Sequence, residues 1–272
     1  MPVTMGIDLT EGWASVMKKQ ADRLGMKFEI RDPQFSADRG AEAITALIAE
    51  EPDVIVVHNP DVQAYAKLLK RAEEAGIHVV QINMRSNYNS DVYVGADWIG
   101  IGEAEAQAVV DKCGAGTSGK VAILQGQPTS GSDSGMMKGA DNVFSKHPEI
   151  KVVANQAGEW DATKARSVIS TVIQQNPDLC GVVGFWDVMD LLVTSGGGEQ
   201  MACDNVEKGV FEKEIAYQVM DQGRDLNDMI VTVLESGRKP GKLKAVVYSL
   251  QLVISKDTLR PGLCWSAKDL KK

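Results

Sequence analysis

The stretch DVIVVHNPDVQAYAKLLKRAEEAGIHVVQIN, residues 53–83, carries two short apolar runs on either side of a segment with helical periodicity. Both runs, DVIVVHN and HVVQIN, are apolar at successive positions, so neither face of the strand they form is suited to water. Strands of that kind belong to a parallel sheet covered by helices on both sides, and residues 61–75 supply the helical crossover that a parallel pair needs. The same alternation extends outward. VTMGID, KFEIRD and DVYVGAD read as further strands, and residues 13–24, 37–50 and 98–112 read as helices. The pattern restarts after the glycine-rich turn CGAGTSGK. There KVAILQG, KVVANQA and CGVVGFW are strand-like, with helices expected at residues 134–146 and 161–175. EIAYQV reads as a later strand and RDLNDMIVTVLESG as a helix closed by Gly237; AVVYSLQLVIS is a long extended run able to return to the first unit. The expected class is α/β, with two doubly wound parallel-sheet domains, a hinge and a ligand cleft between them. Residues 1–100, plus a return over roughly 237–272, are assigned to the first domain and 101–236 to the second.

One stretch breaks the alternation. In GFWDVMDLLVTSGGGEQ, residues 184–200, two strand-like runs are separated only by Asp187 to Asp190, and the helix expected after Asp190 is missing. Either LLVTSG runs antiparallel or a crossover segment is absent from the chain. The turn DVMD lacks the Asn-Gly or Asp-Gly of a tight hairpin, which favours absence.

Composition narrows the function. The chain has 272 residues, 44% hydrophobic and 24% charged, with a net charge of -8. Its basic residues form no cluster larger than a pair, so a nucleic-acid partner is not expected. No apolar run reaches the length of a membrane span, and the start MPVTMGIDL lacks the features of a leader peptide. Cys113, Cys180, Cys203 and Cys264 have no metal-binding spacing; buried thiols are the expected state, with three full disulfide pairings open in an oxidising compartment. No metal and no cofactor is expected.

In open α/β sheets ligands bind beyond the carboxyl ends of the strands. The residues there include Asp8, His58, Asn59, Asn83, Arg85, Trp160, Trp186, Asp187, Gln200 and Gln218. Amides, carboxylates and an arginine fork bind vicinal hydroxyls, and a tryptophan face packs on the C–H face of a sugar ring. Competing readings exist for several of them. Asp61 and Asp161 precede helices and are expected to cap them, Trp13 suits core and pocket alike, Trp98 is read as core, and Arg85 could form a surface ion pair. Trp160 and Trp186, each beside a carboxylate at a strand end, are read as pocket residues. An enzyme is not expected, because no phosphate loop follows a strand and His58, His78 and His147 suggest no shared site. SGGGEQ remains a candidate anion nest, which keeps open an enzyme acting on a sugar phosphate.

ADRLG at 21–25, VHNPD at 57–61, VVQINMR at 79–85, VGADWIGIGEAEA at 94–106, GEWDATKA, GVVGFWDVM and ESGRKPG together resemble the type I periplasmic sugar-binding proteins of ABC transporters, over nearly the whole chain. The resemblance implies that Asn83 and Arg85 bind hydroxyls and that Trp160 stacks on the ligand. Trp186 and Asp187 stand where the family has an Asn-Asp pair, Gln218 at a polar contact, and Trp13 near its N-terminal aromatics. Three departures stand out. The family's second ligand-binding arginine falls at Met136, its late Gly-Phe-Asp carboxylate falls within residues 195–198, and the helix after the Asp187 strand is missing. The implied protein is an exported monomer, lacking its leader here, that closes on a small sugar or polyol and delivers it to a membrane ABC permease. A sensor subunit presenting its sugar to a receptor is the alternative within the family.

Overall fold

The computed structural model describes residues 1–186 and 193–266. Along the chain the elements are α1 (Asp8–Arg23), α2 (Ala37–Glu50), β1 (Val54–Val57), α3 (Ala66–Glu74), β2 (His78–Ile82), β3 (Val92–Gly95), α4 (Trp98–Cys113), β4 (Lys120–Gln125), α5 (Gly131–Phe144), β5 (Lys151–Ala157), α6 (Ala162–Gln175), β6 (Gly181–Gly184), β7 (Val193–Gly196), α7 (Gln200–Lys208), β8 (Lys213–Ala216), α8 (Val219–Glu235), β9 (Ala245–Tyr248) and β10 (Leu252–Ser255). They form two compact units, Met1–Ala96 with Gln218–Ser249, and Asp97–Tyr217 with Leu250–Trp265.

The first unit holds a fully parallel sheet in the order β1-β2-β3-β9. Alternate residues of each strand face opposite layers. Ile55, Val57 and Val79 pack with Ile44, Leu47 and Leu69 of α2 and α3, while α8 packs on β2 and β3 and against α1. The expected strands VTMGID and KFEIRD reduce to a single parallel bridge, Pro2 to Arg31. Gly6, at φ +89°, turns the chain directly into α1, which therefore begins at Asp8 and not at residue 13.

Two expectations about the C-terminal third need correction. The helix assigned by sequence to residues 101–236, α8, packs in the first unit, where Asn227 Nδ2 donates to the Met17 carbonyl at 3.0 Å. The extended run after it is not one strand: β9 pairs parallel with β3, and β10 pairs antiparallel with β8 in the other sheet. One apolar run therefore closes an edge of each sheet.

The second unit holds six strands in the order β10-β8-β7-β6-β4-β5. Ala122, Leu124 and Val182 pack under Ala165, Ile169 and Val172 of α6, and α4 crosses β4, β6, β7 and β8, with α5 packed against it. The α4 and α5 backbones touch. A Cβ on Gly102 would lie 2.2 Å from the Met136 carbonyl oxygen, and one on Gly139 would lie 2.2 Å from that of Ile99.

The antiparallel alternative for the break in the alternation is overturned: β6 and β7 are parallel neighbours. Among the described residues the pairing joins Val183 with Val193 and Gly184 with Thr194. Residues 187–192, between the two strands, lie outside the described residues.

All four cysteines are oxidised, contrary to the expectation of buried thiols. Cys113 at the end of α4 bonds Cys180, and Cys203 on α7 bonds Cys264. Their Cα atoms lie 5.7 and 6.2 Å apart, within disulfide range. Composition alone could not foresee this, because the pairs are 67 and 61 residues apart in sequence.

Two outcomes follow. Gly139→Ala should destabilise the protein by about 1–3 kcal/mol, because backbone cannot move aside as a side chain can; urea denaturation measures it. Reducing both disulfides should remove about 4 kcal/mol per closed loop by the loop-entropy relation. Hydrogen exchange with and without reductant should show the loss concentrated in Asp97–Tyr217 while β1 to β3 keep their protection.

Candidate functional site

The carboxyl end of the first unit's sheet is built around a network of amides. Gln81, buried in β2, accepts from Asn59 Nδ2 at 3.0 Å and from the Ser86 amide at 2.6 Å, and donates to the Tyr88 carbonyl and Ser90 Oγ, both at 2.8 Å. Asn59 Nδ2 also donates to the Met84 carbonyl at 2.9 Å. These bonds hold the turn after β2, where Asn83 adopts φ +59° and is almost fully buried. Arg85 follows, half-buried, with its guanidinium carbon 4.9 Å from the centre of the Tyr93 ring. Tyr93 is itself fixed, its hydroxyl donating to the carbonyls of Asn83 at 2.7 Å and Ala96 at 3.2 Å.

Trp13 belongs to the core of this unit. It is fully buried, Nε1 donates to Gln222 Oε1 at 3.0 Å, and its ring meets His58 edge-on at 5.4 Å. Its ring offers no exposed face for stacking. Burial pushes His58 down to about 4, so the imidazole is neutral at neutral pH. Asp8 is exposed in the first turn of α1. Gln218 ends the loop after β8 at φ +46° and precedes α8.

In the second unit the expected aromatic pair forms. Trp160 and Trp186 meet edge-to-face with centroids 5.7 Å apart, both partly buried against the α6 core. The turn after β5 has Glu159 and Trp160 at φ +56° and +59°. It lays the Trp160 ring on Gly126 so closely that a Cβ there would lie 1.9 Å from Cζ3. Glycine at the end of β4 is thus what admits the indole. Asp161 caps α6, accepting from the Lys164 amide at 2.7 Å, and Glu159 pairs with Lys164 at 2.7 Å. Gln200 is exposed at the start of α7, where it donates to Asp204 at 2.9 Å. Asp187 lies outside the described residues.

The glycine run that suggested an anion nest is already filled. The Gly197 amide donates to Glu199 Oε2 at 2.9 Å and the Gly198 amide to Glu214 Oε1 at 3.2 Å, while Trp265 Nε1 donates to the Gly197 carbonyl at 2.9 Å. Two carboxylates at these amides would repel a phosphate. Among the described residues no cluster of histidine, cysteine and acidic side chains could hold a metal ion.

Sequence reading underused three residues. Asn59 appeared only as a strand-end amide, yet it ties the β1 and β2 loops together. Gln81 was hidden inside an apolar run, where its polarity was the available signal. Tyr93 stands mid-strand and nothing local marks it as the platform for Arg85.

Two buried acids beneath β6 and β7 belong to packing. Glu105 on α4 is fully buried, and burial raises its carboxyl well above the usual range, against the Ser195 hydroxyl, with the Asp133 charge raising it further. Burial pushes Asp133 up to about 7, against the Ser130 and Ser132 hydroxyls that donate to it at 2.8 and 3.3 Å.

The chain belongs to the periplasmic binding protein domain family, which it matches over residues 1–239. It is 28% identical over 191 residues to the D-allose-binding periplasmic protein of Escherichia coli, covering 62% of this chain and 61% of that protein. To the ribose import binding protein of Bacillus subtilis it is 28% identical over 176 residues, covering 64% and 56%. The chain thus matches about three fifths of the length of these two relatives. A solute-binding protein of an ABC transporter from Burkholderia graminis, solved in complex with D-arabinose, superposes with a TM-score of 0.84 at 20% identity, covering 96% of this chain and 95% of that one. That agreement establishes the α/β type I periplasmic binding fold.

The buried acids generate a pH prediction. Asp133 holds in the folded state a proton that it releases at its ordinary 3.8 when unfolded. Stability should therefore fall as pH rises from about 4 to about 7, by up to about 1.4 kcal/mol per unit, and level off above. In Asp133→Asn that slope should flatten, leaving the part due to Glu105. Urea midpoints between pH 4 and 8 measure it; an unchanged slope would refute the assignment.

Proposed function

We propose that the chain is the solute-binding receptor of an ABC importer, capturing a small sugar or sugar alcohol by closure of its two units and delivering it to a membrane permease. Membership of the periplasmic binding protein family carries the reading. The named relatives are binding proteins for allose and ribose. The strand ends add the matching chemistry: Asn59, Asn83 and Arg85 in one unit, and the Trp160 and Trp186 pair in the other, with Asp187 and Gln218 expected to join them. The backbone passes between the units after Ala96, Tyr217, Ser249 and Trp265. These few bonds are where rotation on ligand binding is expected.

The protein is not an enzyme on this reading, because the only candidate anion nest is occupied by its own carboxylates. It works as a monomer outside the cytoplasm. Two disulfides suit an oxidising compartment, and no helix among the described residues is long and apolar enough to cross a membrane.

The test is a thermal-shift panel of aldopentoses, aldohexoses, deoxy sugars, tetritols and pentitols and their acidic derivatives, each at about 1 mM. A ligand of micromolar affinity should stabilise the protein by about 4 kcal/mol, several degrees in melting temperature. Trp160→Ala should then weaken binding about tenfold by loss of the stacking face. A cooperative melt that no compound shifts would overturn the reading.

A further inference from the structure

Arg85 is the unusual charge at the strand ends. Among the described residues its guanidinium has one recorded partner, the Tyr93 ring, and a ring face orients a cation without neutralising it. The described carboxylates that follow strands are all engaged. Asp61 accepts from the amides of Gln63 at 2.7 Å and Ala64 at 3.2 Å, and Asp97 from that of Gly100 at 3.2 Å. Glu159 is held by Lys164, Asp161 by the Lys164 amide, and Glu199 by the Gly197 amide. Each caps or braces its own loop. None is set beside Arg85.

The unpartnered polar atoms just after β1 are neutral. Asn59 Oδ1 and His58 Nε2 are buried without a hydrogen-bond partner among the described residues, and the imidazole carries no charge at neutral pH. A buried polar atom left without a partner costs about 1–3 kcal/mol, so both are suited to ligand hydroxyls. The first unit therefore presents one half-buried planar cation beside neutral hydroxyl-binding groups. A single guanidinium fork matches a carboxylate in two parallel hydrogen bonds. A phosphate dianion calls for further cations or free backbone amides, and the glycine-run amides of Gly197 and Gly198 are taken.

Building on the receptor reading, we infer that the ligand is a sugar acid, an aldonate or uronate, whose carboxylate is bound by Arg85 on the Tyr93 platform while its hydroxyls meet Asn59 and the neighbouring amides. The specificity then lies in charge, with Arg85 distinguishing an acid from the neutral sugar of the same stereochemistry.

Matched pairs test this. Isothermal titration and thermal shift would compare gluconate, galactonate, xylonate, glucuronate and galacturonate with glucose, galactose, xylose and xylitol, and with glucose 6-phosphate, on the intact oxidised chain. At least one acid should bind about a hundredfold tighter than its neutral parent. Arg85→Gln should remove that preference, and Arg85→Lys, which keeps charge but loses the fork, should weaken the acid about tenfold while still favouring it over the neutral parent. Should Arg85→Gln fail to fold, the wild-type pairs and Arg85→Lys decide alone. A neutral sugar bound as tightly as its acid, or tighter, overturns the inference and leaves the receptor reading standing. Preference for the phosphate ester overturns the carboxylate assignment. Binding of nothing in the panel by a cooperatively folding protein removes the receptor reading and the inference together.

Discussion

The parallel pairing of β6 with β7, through Val183 with Val193 and Gly184 with Thr194 among the described residues, joins the two halves of the second unit's sheet. On one side lie β4 and β5, on the other β8 and β10, and β6 and β7 are the seam. Other elements span this seam. Helix α4 crosses strands on both sides of it, and its last residue, Cys113, is bonded to Cys180 immediately before β6. Beyond β7, Cys203 ties α7 to Cys264, in the segment that also carries β10. The disulfides thus bracket this seam.

The strand-end loops show the opposite economy, rigid where the chain would otherwise be loose. Asn83, Trp160 and Gln218 each adopt a left-handed backbone within a few residues of a strand end, a conformation costing about 1 kcal/mol or more for residues with a Cβ. In each case the sequence places a side chain of binding chemistry where glycine would be easier. Around Asn83 the strain is held by Gln81, Asn59 and Tyr93; around Trp160 it is held by the Gly158 and Glu159 amides, which donate to the carbonyls of Gln125 and Gly126 at 2.8 and 2.9 Å. Such loops hold these side chains in fixed positions at the strand ends. The same logic closes the glycine run, where the Gly197 and Gly198 amides donate to the protein's own carboxylates.

What the sequence by itself determined follows from local periodicity. Apolar runs of strand length separated by helical segments dictate a parallel α/β fold, and α2, α4, α6 and β1 to β6 emerge close to where those patterns place them, because burial on both sheet faces leaves no other use for such runs. The residues at the ends of β2, β5 and β6 could be singled out for the same reason, since ligands of open α/β sheets bind at the carboxyl ends of parallel strands. Tertiary structure alone decided everything that depends on partners distant in the chain. It buried Trp13 against Gln222, 209 residues away, paired four cysteines across loops of 67 and 61 residues, divided the AVVYSLQLVIS run between two sheets, and filled the glycine nest from Glu214. It also set β7 parallel to β6. Periodicity reports which faces of a segment must be dry, whereas the choice among dry or polar partners is made by packing in three dimensions, and no single segment carries that information.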